Sequence, residues 1–593
     1  MNVKRLLSAL LASGMILGLA ACGSPGGPAS DPPAASSPNA TPGESTAVQE
    51  GAGEPQYGGT LTLSYSDFNT VFDPAMGEQY TYSLWLEYLF APDWGLNDPD
   101  VYPFKTNSYT LEYAQGQIAD SWEWDAETMT FTVTMREDVY FQAKEEAYDI
   151  FKARNLTAED VKYSYDRVTG LGSGFDETNY VVIDGDWRDR LNMLESVEVL
   201  DTYVLAFHMN TPSETKLSEF IIAQVNITGP EWDTLTEEQK RDWHYACGTG
   251  PYILTEYVAD NHYTFVRNEN YYDTDERYPE NRLPYLDGVV LQKYGDSTSV
   301  LSDFIAGKLD YINMNAGLSD SEKAQLTDTT SCQVYHFDAN AEALGLKLNQ
   351  EPFRDLRVRI AMQKAINLEE VALAYYGNDA LTLPGLWDPA LADWSTVGTW
   401  SAELLDEYSY DPEAAKQLLA EAGYPDGFSF TVAIDAMANQ EVFELAKSYL
   451  AAVGIDMEIA MLSDMSEGRQ VQGSRDDPRQ YNLQMGMGAD AGFVFQTYAT
   501  TGFAYCNFAD DTHFDELLVA VRDAMTPEEQ AAAARACEEY YLEHHFLIAL
   551  GGMTDSQEYY SVRVGGMENG ELLSAYHFFK TITARMWNNG AAG

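Results

Sequence analysis

The sequence predicts an α/β chain built of several lobes. Three observations carry this reading. Short runs of alternating apolar and polar residues recur along the chain. Capped helical segments are interleaved with them rather than segregated. No period of about 20–50 residues repeats, which argues against solenoids and propellers. At roughly 150 residues per domain, 593 residues suffice for about three to four such units.

The strand signals come first. Thr60 to Tyr65 sets Leu61, Leu63 and Tyr65 against polar residues. Met129, Phe131, Val133 and Met135 alternate with threonines, and with Ser121 to Trp124 before them they read as a hairpin. Tyr252–Tyr257 and His262–Arg267 read as a second hairpin. Helix signals follow. Thr157 and Asp160 make an acidic variant of the capping box. Asp411-Pro412 opens a helix through Ala414, Ala415, Leu418 and Leu419, which Gly423 ends. Thr526-Pro527-Glu528-Glu529 caps a longer helix that runs to about His545.

Charge excludes partners more than it selects them. The chain has 93 acidic and 35 basic side chains, a formal net charge of -58. A polymer of that charge repels phosphate backbones, so no nucleic acid is expected. Nor is the chain drawn electrostatically to anionic lipid. Mean hydropathy is -0.32, and after residue 22 no apolar run is long enough to span a bilayer.

The N-terminus implies a compartment. Lys4 and Arg5 precede an apolar stretch, Leu6 to Ala21, that is too short for an ordinary span. It ends in Leu19-Ala20-Ala21-Cys22-Gly23, which resembles a bacterial lipobox. Residues 1–21 are therefore expected to be a lipoprotein signal peptide, and Cys22 the lipidated residue. Two or more acyl chains anchor stably where one does not. Gly23 to Pro55 is mostly Gly, Pro, Ser, Ala and Thr. Residues 22–55 are thus expected to be the lipidated cysteine and a disordered stalk. The expected location is the outer face of a bacterial cytoplasmic membrane, of Gram-positive type. There, Cys247, Cys332, Cys506 and Cys537 could form disulfides in any of three pairings, or remain isolated thiols.

Catalytic and metal signatures are missing from the sequence. It contains no GxSxG elbow, Walker A loop, HExxH helix or EF-hand loop. No Cys/His spacing suits zinc. His544 and His545 are adjacent, so on a helix they point about 100° apart and cannot chelate one metal together. Paired carboxylates such as Glu237/Glu238, Asp476/Asp477 and Asp510/Asp511 are expected by chance in so acidic a chain, and read as solvated surface. No catalytic residue, metal or cofactor is assigned.

Eight segments, in order, carry a resemblance. They are Gly58-Gly59-Thr60-Leu61 with Phe72-Asp73-Pro74; Ile118 to Trp122 with Thr130 to Val133; Leu156 to Val161; Gly248-Thr249-Gly250-Pro251-Tyr252 with Arg267 to Tyr271; Leu283 to Asp287; Phe304 to Asp310; Pro352 to Arg359 with Ala365-Ile366-Asn367; and Tyr410-Asp411-Pro412 to Tyr424. From about Gly58 onward the chain resembles the family 5 extracellular solute-binding proteins, the oligopeptide, dipeptide and nickel receptors of ABC importers. The resemblance implies a periplasmic-binding-protein-like α/β fold of the class II, cluster C type. Two large lobes are joined by a two-strand hinge, and a smaller third domain is inserted. Mapped here, lobe I takes 56–90, 195–340 and 546–593, inserted domain II takes 91–194, and lobe III takes 341–545. The crossings fall near Val334–Leu348 and Leu547–Gly551. Extra chain relative to the family pattern, at Pro92–Gly116 and Gln142–Asn155, reads as surface loops.

Site residues come only from the same resemblance. In the peptide receptors an Asp after a Trp-containing strand pairs with the ligand's α-ammonium, and the stretch Tyr481 to Asp490 places Asp490 there. Met487 stands where the family has an aromatic, and Ala491-Gly492-Phe493 replaces the usual Pro-Asp-Pro. Gly77, Glu78, Gln79, Tyr80, His244, Tyr245 and Thr249 align with segments bordering the cleft. The implied protein is a monomeric, non-enzymatic, lipid-anchored receptor. It captures a small solute, foremost short peptides, for permease subunits and their ATPases. Oligosaccharides, metal chelates and glutathione are alternative ligands. A secreted two-carboxylate hydrolase and a sensor or adhesin are the readings from other classes.

Overall fold

The computed structural model describes residues 54–65, 72–75, 80–92, 114–144, 152–171, 191–223, 225–313, 318, 320–373, 386, 400–434, 440–462, 465–485, 491–502, 506–567 and 582–590. Fourteen of its strands position the site. They are β1 (Thr60–Ser64), β2 (Ala119–Asp125), β3 (Thr130–Met135), β4 (Leu194–Asp201), β5 (Val204–Met209), β6 (Tyr252–Val258) and β7 (His262–Arg267). Then come β8 (Gly288–Gln292), β9 (Tyr311–Ile312), β10 (Cys332–Gly345), β11 (Phe428–Ile434), β12 (Ile455–Met461), β13 (Gln480–Met485) and β14 (Leu547–Ser561). The helices used below are α1 (Ala158–Thr169), α2 (Glu214–Ile222), α3 (Leu356–Ala365), α4 (Pro412–Glu421), α5 (Gln440–Ala452), α6 (Ala491–Tyr498), α7 (Thr512–Arg522) and α8 (Pro527–Glu543).

A ten-stranded sheet runs in the order β12-β11-β13-β10-β14-β9-β1-β8-β7-β6. Its fourth and fifth strands, β10 and β14, are its longest, at 14 and 15 residues. They pair antiparallel along their length, from Cys332 opposite Ser561 to Gly345 opposite Leu547. On one side β14 pairs with β9 through Tyr560 and Tyr559. On the other, β10 pairs with β13 from Ala341 to Gly345. The sheet therefore has two halves. Lobe I is built on β1 and β6–β9, and lobe III on β11–β13. The β10–β14 ladder changes register between Asp338 and Ala341 and again before Ala343. Such irregularities bend and twist a ladder locally. The first sits between the residues next to lobe I and those that pair with lobe III, and the second lies where the β10–β13 pairing begins.

Each half follows from local sequence. In lobe III, β11 and β12 are parallel, so the chain needs a crossover, and α5 supplies it. Val442, Phe443, Ala446 and Leu450 turn one face of α5 into the core shared with Val432, Ile455 and Met457. Asp411 caps α4 on the Ala414 N–H with Pro412 in its first turn, and Gly423 leaves it at φ 97°, as the sequence predicts. Arg357 and Arg359 brace structure. Arg357 donates to its own cap, Asp355, and to the Glu421 carbonyl, and Arg359 donates to the carbonyls of Phe353, Arg354 and His544.

A separate four-stranded sheet, β2-β3-β5-β4, forms the core of the inserted domain. Its predicted alternation is real: Phe131, Val133 and Met135 are buried, while the threonines between them are only half-buried. Burying each such side chain contributes about 1.5–3 kcal/mol. The capping box of α1 is present, with Thr157 and Asp160 bonded reciprocally. β4 and β5 pair within this sheet, and α2 packs on it through Leu217, Phe220 and Ile221.

All four body cysteines among the described residues are free thiols. Burial pushes the Cys247 thiol up to about 12 and the Cys506 thiol up to about 11, so neither is a reactive thiolate at neutral pH. Three carboxylates of the predicted surface pairs have structural partners. Asp477 pairs with Arg479, Asp510 with Arg475, and Asp511 caps α7. No helix among the described residues is long and apolar enough to cross a membrane.

Candidate functional site

Thr249, which the resemblance assigns to the cleft border, sits in a turn that meets the chain shortly after Tyr80. The turn Gly248-Thr249-Gly250 lies against the backbone of Leu84 and Trp85, just after a 3-10 helix, Tyr80–Leu84. A Cβ on Gly248 would stand 2.1 Å from the Trp85 carbonyl oxygen, and one on Gly250 2.8 Å from its carbonyl carbon. Only glycine allows that approach. The Gly250 N–H then donates to the Trp85 carbonyl at 3.1 Å.

The turn is fixed from behind. The buried Gln142 side chain donates to the carbonyls of Gly250 and Tyr252 at 2.9 and 2.8 Å, and Asn268 donates to Gly250 at 2.9 Å. Gln142 opens one of the two extra stretches read from sequence as surface loops. Its side chain is instead a staple inside the molecule.

Thr249 is itself buried, at 1% exposure. Its neighbour is Glu87, which is fully enclosed. Glu87 Oε1 accepts from the hydroxyls of Tyr271 and Tyr272, each at 2.9 Å. Glu87 Oε2 and the Thr249 hydroxyl each lack a hydrogen bond of ordinary geometry. Burial pushes the Glu87 carboxyl up to about 8, against the lowering effect of Thr249, Tyr272 and Tyr271. At neutral pH this acid is held in its neutral form, with one O–H to offer. Glu87 was not anticipated. The available signal was a lone acid within the apolar run Leu84 to Phe90.

The other candidates separate by role. Trp243–Tyr245 is one turn of 3-10 helix capped by Asp242. Tyr245 is buried with Trp232 and Leu235, and its hydroxyl accepts from Gln239. It is a core residue in this arrangement. His244 is half-exposed, stacks on Trp243 at 3.9 Å, and its Nδ1 meets Asp242 at 2.6 Å. The 3-10 helix begins at Tyr80. Gly77, Glu78 and Gln79 lie outside the described residues, as does the Tyr80 side chain. Met487 and Asp490 also lie outside them, between the end of β13 and the start of α6.

Two cavities lie beside the Glu87 cluster, one lined in part by Tyr272 and the other by Tyr271. One, of about 340 Å3, is lined by Asp138, Tyr140, Ala153, Asn270, Tyr272 and Arg282. The other, of about 160 Å3, has Arg136, Asp273 and Arg585 in its wall. Neither includes a sequence-predicted site residue. No group of three or more metal-ligating side chains occurs among the described residues.

Comparison with known proteins agrees with the fold. Residues 114–509 match the model of the bacterial extracellular solute-binding proteins, family 5, middle region. A heme-binding protein A from Haemophilus influenzae is 27% identical over 334 residues, which is 55% of this chain and 56% of that protein. A glutathione-binding protein GsiB from Salmonella paratyphi A is 23% identical over 363 residues, covering 60% of this chain and 62% of that protein. The chain thus spans little more than half the length of these relatives. A dipeptide-binding protein from Escherichia coli is 24% identical over 411 residues, 66% of this chain and 70% of that one. Among solved structures, a Helicobacter pylori binding protein, DppA, in complex with the peptide STSA superposes with a TM-score of 0.66 at 19% identity. The match covers 90% of this chain and 99% of that one. Listeria monocytogenes CtaP superposes at 0.69 with 14% identity, covering 90% and 100%. With the β10–β14 crossing, the inserted sheet and a family match over two thirds of its length, this chain belongs to the family 5 bacterial extracellular solute-binding proteins.

Proposed function

We propose that the chain captures a short peptide between lobes I and III and hands it to a membrane permease powered by ATPase subunits. The observation that carries this reading is the sheet. Its halves are joined through one irregular pair of strands, the geometry of a hinge around a cleft. Relatives and neighbours described as binding dipeptides, the peptide STSA and a nonapeptide support the ligand class. Heme and glutathione, in the names of other relatives, are the alternatives. The protein is a monomer, a binding protein and not an enzyme. Cys22 carries the lipid anchor after removal of residues 1–21, and residues 22–55 tether the body at the outer face of the cytoplasmic membrane. Lobe I takes 56–90, the segment that follows the inserted domain up to 340, and 546–593, with lobe III at 341–545. Because β4, β5 and α2 pack in the inserted domain, its end moves from residue 194 to about residue 223.

Within the cleft, Asp490 pairs with the ligand's α-ammonium. Met487, Gly77, Glu78, Gln79, Tyr80, His244, Tyr245 and Thr249 border it, Tyr245 and Thr249 as buried support. In a closed, dry cleft an ammonium requires a fixed carboxylate. Asp490→Asn is therefore expected to weaken short-peptide binding at least tenfold by isothermal calorimetry. Unchanged affinity in a folded variant removes Asp490 from the site.

A further inference from the structure

The inserted domain, which Arg167 and Asp73 tie to lobe I, meets lobe III away from the crossing strands. Helix α2 belongs to the inserted domain, where the Phe220 ring packs 5.1 Å from Phe207 and 6.1 Å from Phe131. The turn from Asp523 to Thr526 joins α7 to α8 in lobe III, whose core holds Phe514, Leu518, Val521 and Ala534. These two parts of the chain, some 310 residues apart, are hydrogen-bonded. Ser213 Oγ donates to the Ala524 carbonyl at 2.8 Å, and the Thr215 hydroxyl donates to the same oxygen. The Glu214 N–H donates to the Met525 carbonyl at 3.1 Å. Ser213, Thr215 and Ala524 are 1%, 4% and 6% exposed.

The position matters as much as the bonds. Helix α8 has 17 residues, so it is about 25 Å long. It separates this turn from Leu547, where β14 begins. The contact therefore lies a helix length from the point at which β14 enters the sheet. Its chemistry is also directional. The start of α2 supplies the donors, and the turn between α7 and α8 supplies the acceptors, the carbonyls of Ala524 and Met525. Buried, the Ala524 carbonyl is satisfied by two hydroxyls. If the lobes separate, water replaces them.

We infer that Ser213 and Thr215 form a clasp that holds the lobes shut and sets how long a ligand stays, without touching it. This rests on the reading that the lobes close around a solute. Thr215→Val keeps the volume and removes the hydroxyl, while Thr215→Ser keeps the hydroxyl. Ser213 is left intact because its side chain also caps α2.

The first readout needs no ligand. Spin labels at the exposed positions Glu159, in the inserted domain, and Glu413, in lobe III, report the interlobe distance in a Cys332→Ser background. Thr215→Val is expected to shift the closed-to-open ratio about tenfold toward open, the factor that one lost buried hydrogen bond carries. Thr215→Ser is expected to match the parent. The second readout locks the clasp. Glu214 and Met525 are both exposed and joined through their backbones, so Glu214→Cys with Met525→Cys can be cross-linked. Oxidised, this variant is expected to lose peptide association, and reductant to restore it. Identical distance distributions for Thr215→Val and the parent overturn the clasp, as does association that is unchanged in the cross-linked protein. Should the parent bind no peptide while the distance still shifts, the clasp stands and the ligand assignment falls.

Discussion

Arg167→Met is expected to cost about 3–5 kcal/mol of folding free energy, measured as a lowered midpoint in urea. Arg167 on α1 meets Asp73 of lobe I through two bonds of 2.6 Å, with both side chains more than nine-tenths buried. Burial alone would raise the Asp73 carboxyl. The Arg167 hydrogen bonds and charge overcome that and hold it below the ordinary carboxylate range. Removing the arginine leaves a buried carboxylate with no counter-charge, and that uncompensated charge is the main loss. Replacing both partners by apolar residues of similar size, Asp73→Leu with Arg167→Met, is expected to recover most of it. A double variant as unstable as the single one would contradict this account.

Glu87→Gln is expected to flatten the pH dependence of stability between about pH 4.5 and 8. Burial raises the folded carboxyl to about 8 from its usual 4.5. Across that window the folded chain keeps a proton that the unfolded chain has lost. Stability tied to Glu87 is therefore complete below about pH 4.5, falls as pH rises, and is gone above about 8. At 1.36 kcal/mol per pH unit the total is about 3–5 kcal/mol. Unfolding titrations at pH 5 and pH 8 measure it. The variant should lose less stability between the two than the parent. An equal loss in both proteins would mean that Glu87 is ionised in the folded state.

What was legible in the sequence was local. Phe131, Val133 and Met135 declare a strand because every second residue is apolar. Thr157 with Asp160, and Asp411 with Pro412, declare helix starts because a cap is satisfied within one turn. The family order of short motifs supplied the two-lobe fold. What was not legible depends on distant partners. Nothing near Arg167 announces Asp73, 94 residues away, and nothing near Ser213 announces Ala524. The packing of Tyr245 on Trp232 and Leu235 is likewise not announced by its neighbours in sequence. His544 and His545 look alike in sequence. His544 stacks on Tyr540, and His545 is fully buried against Tyr408 and Glu407. Burial drives the His545 imidazole down, which a sequence position alone does not show.

Native mass spectrometry of the protein isolated from its own cells tests capture between the lobes most directly. A closed cleft retains its solute through purification. A one-to-one complex that releases a short peptide on denaturation is expected. Capture is contradicted if the ligand-free mass alone appears, and still alone appears after incubation with peptides spanning the dipeptide and nonapeptide lengths seen in the structural neighbours.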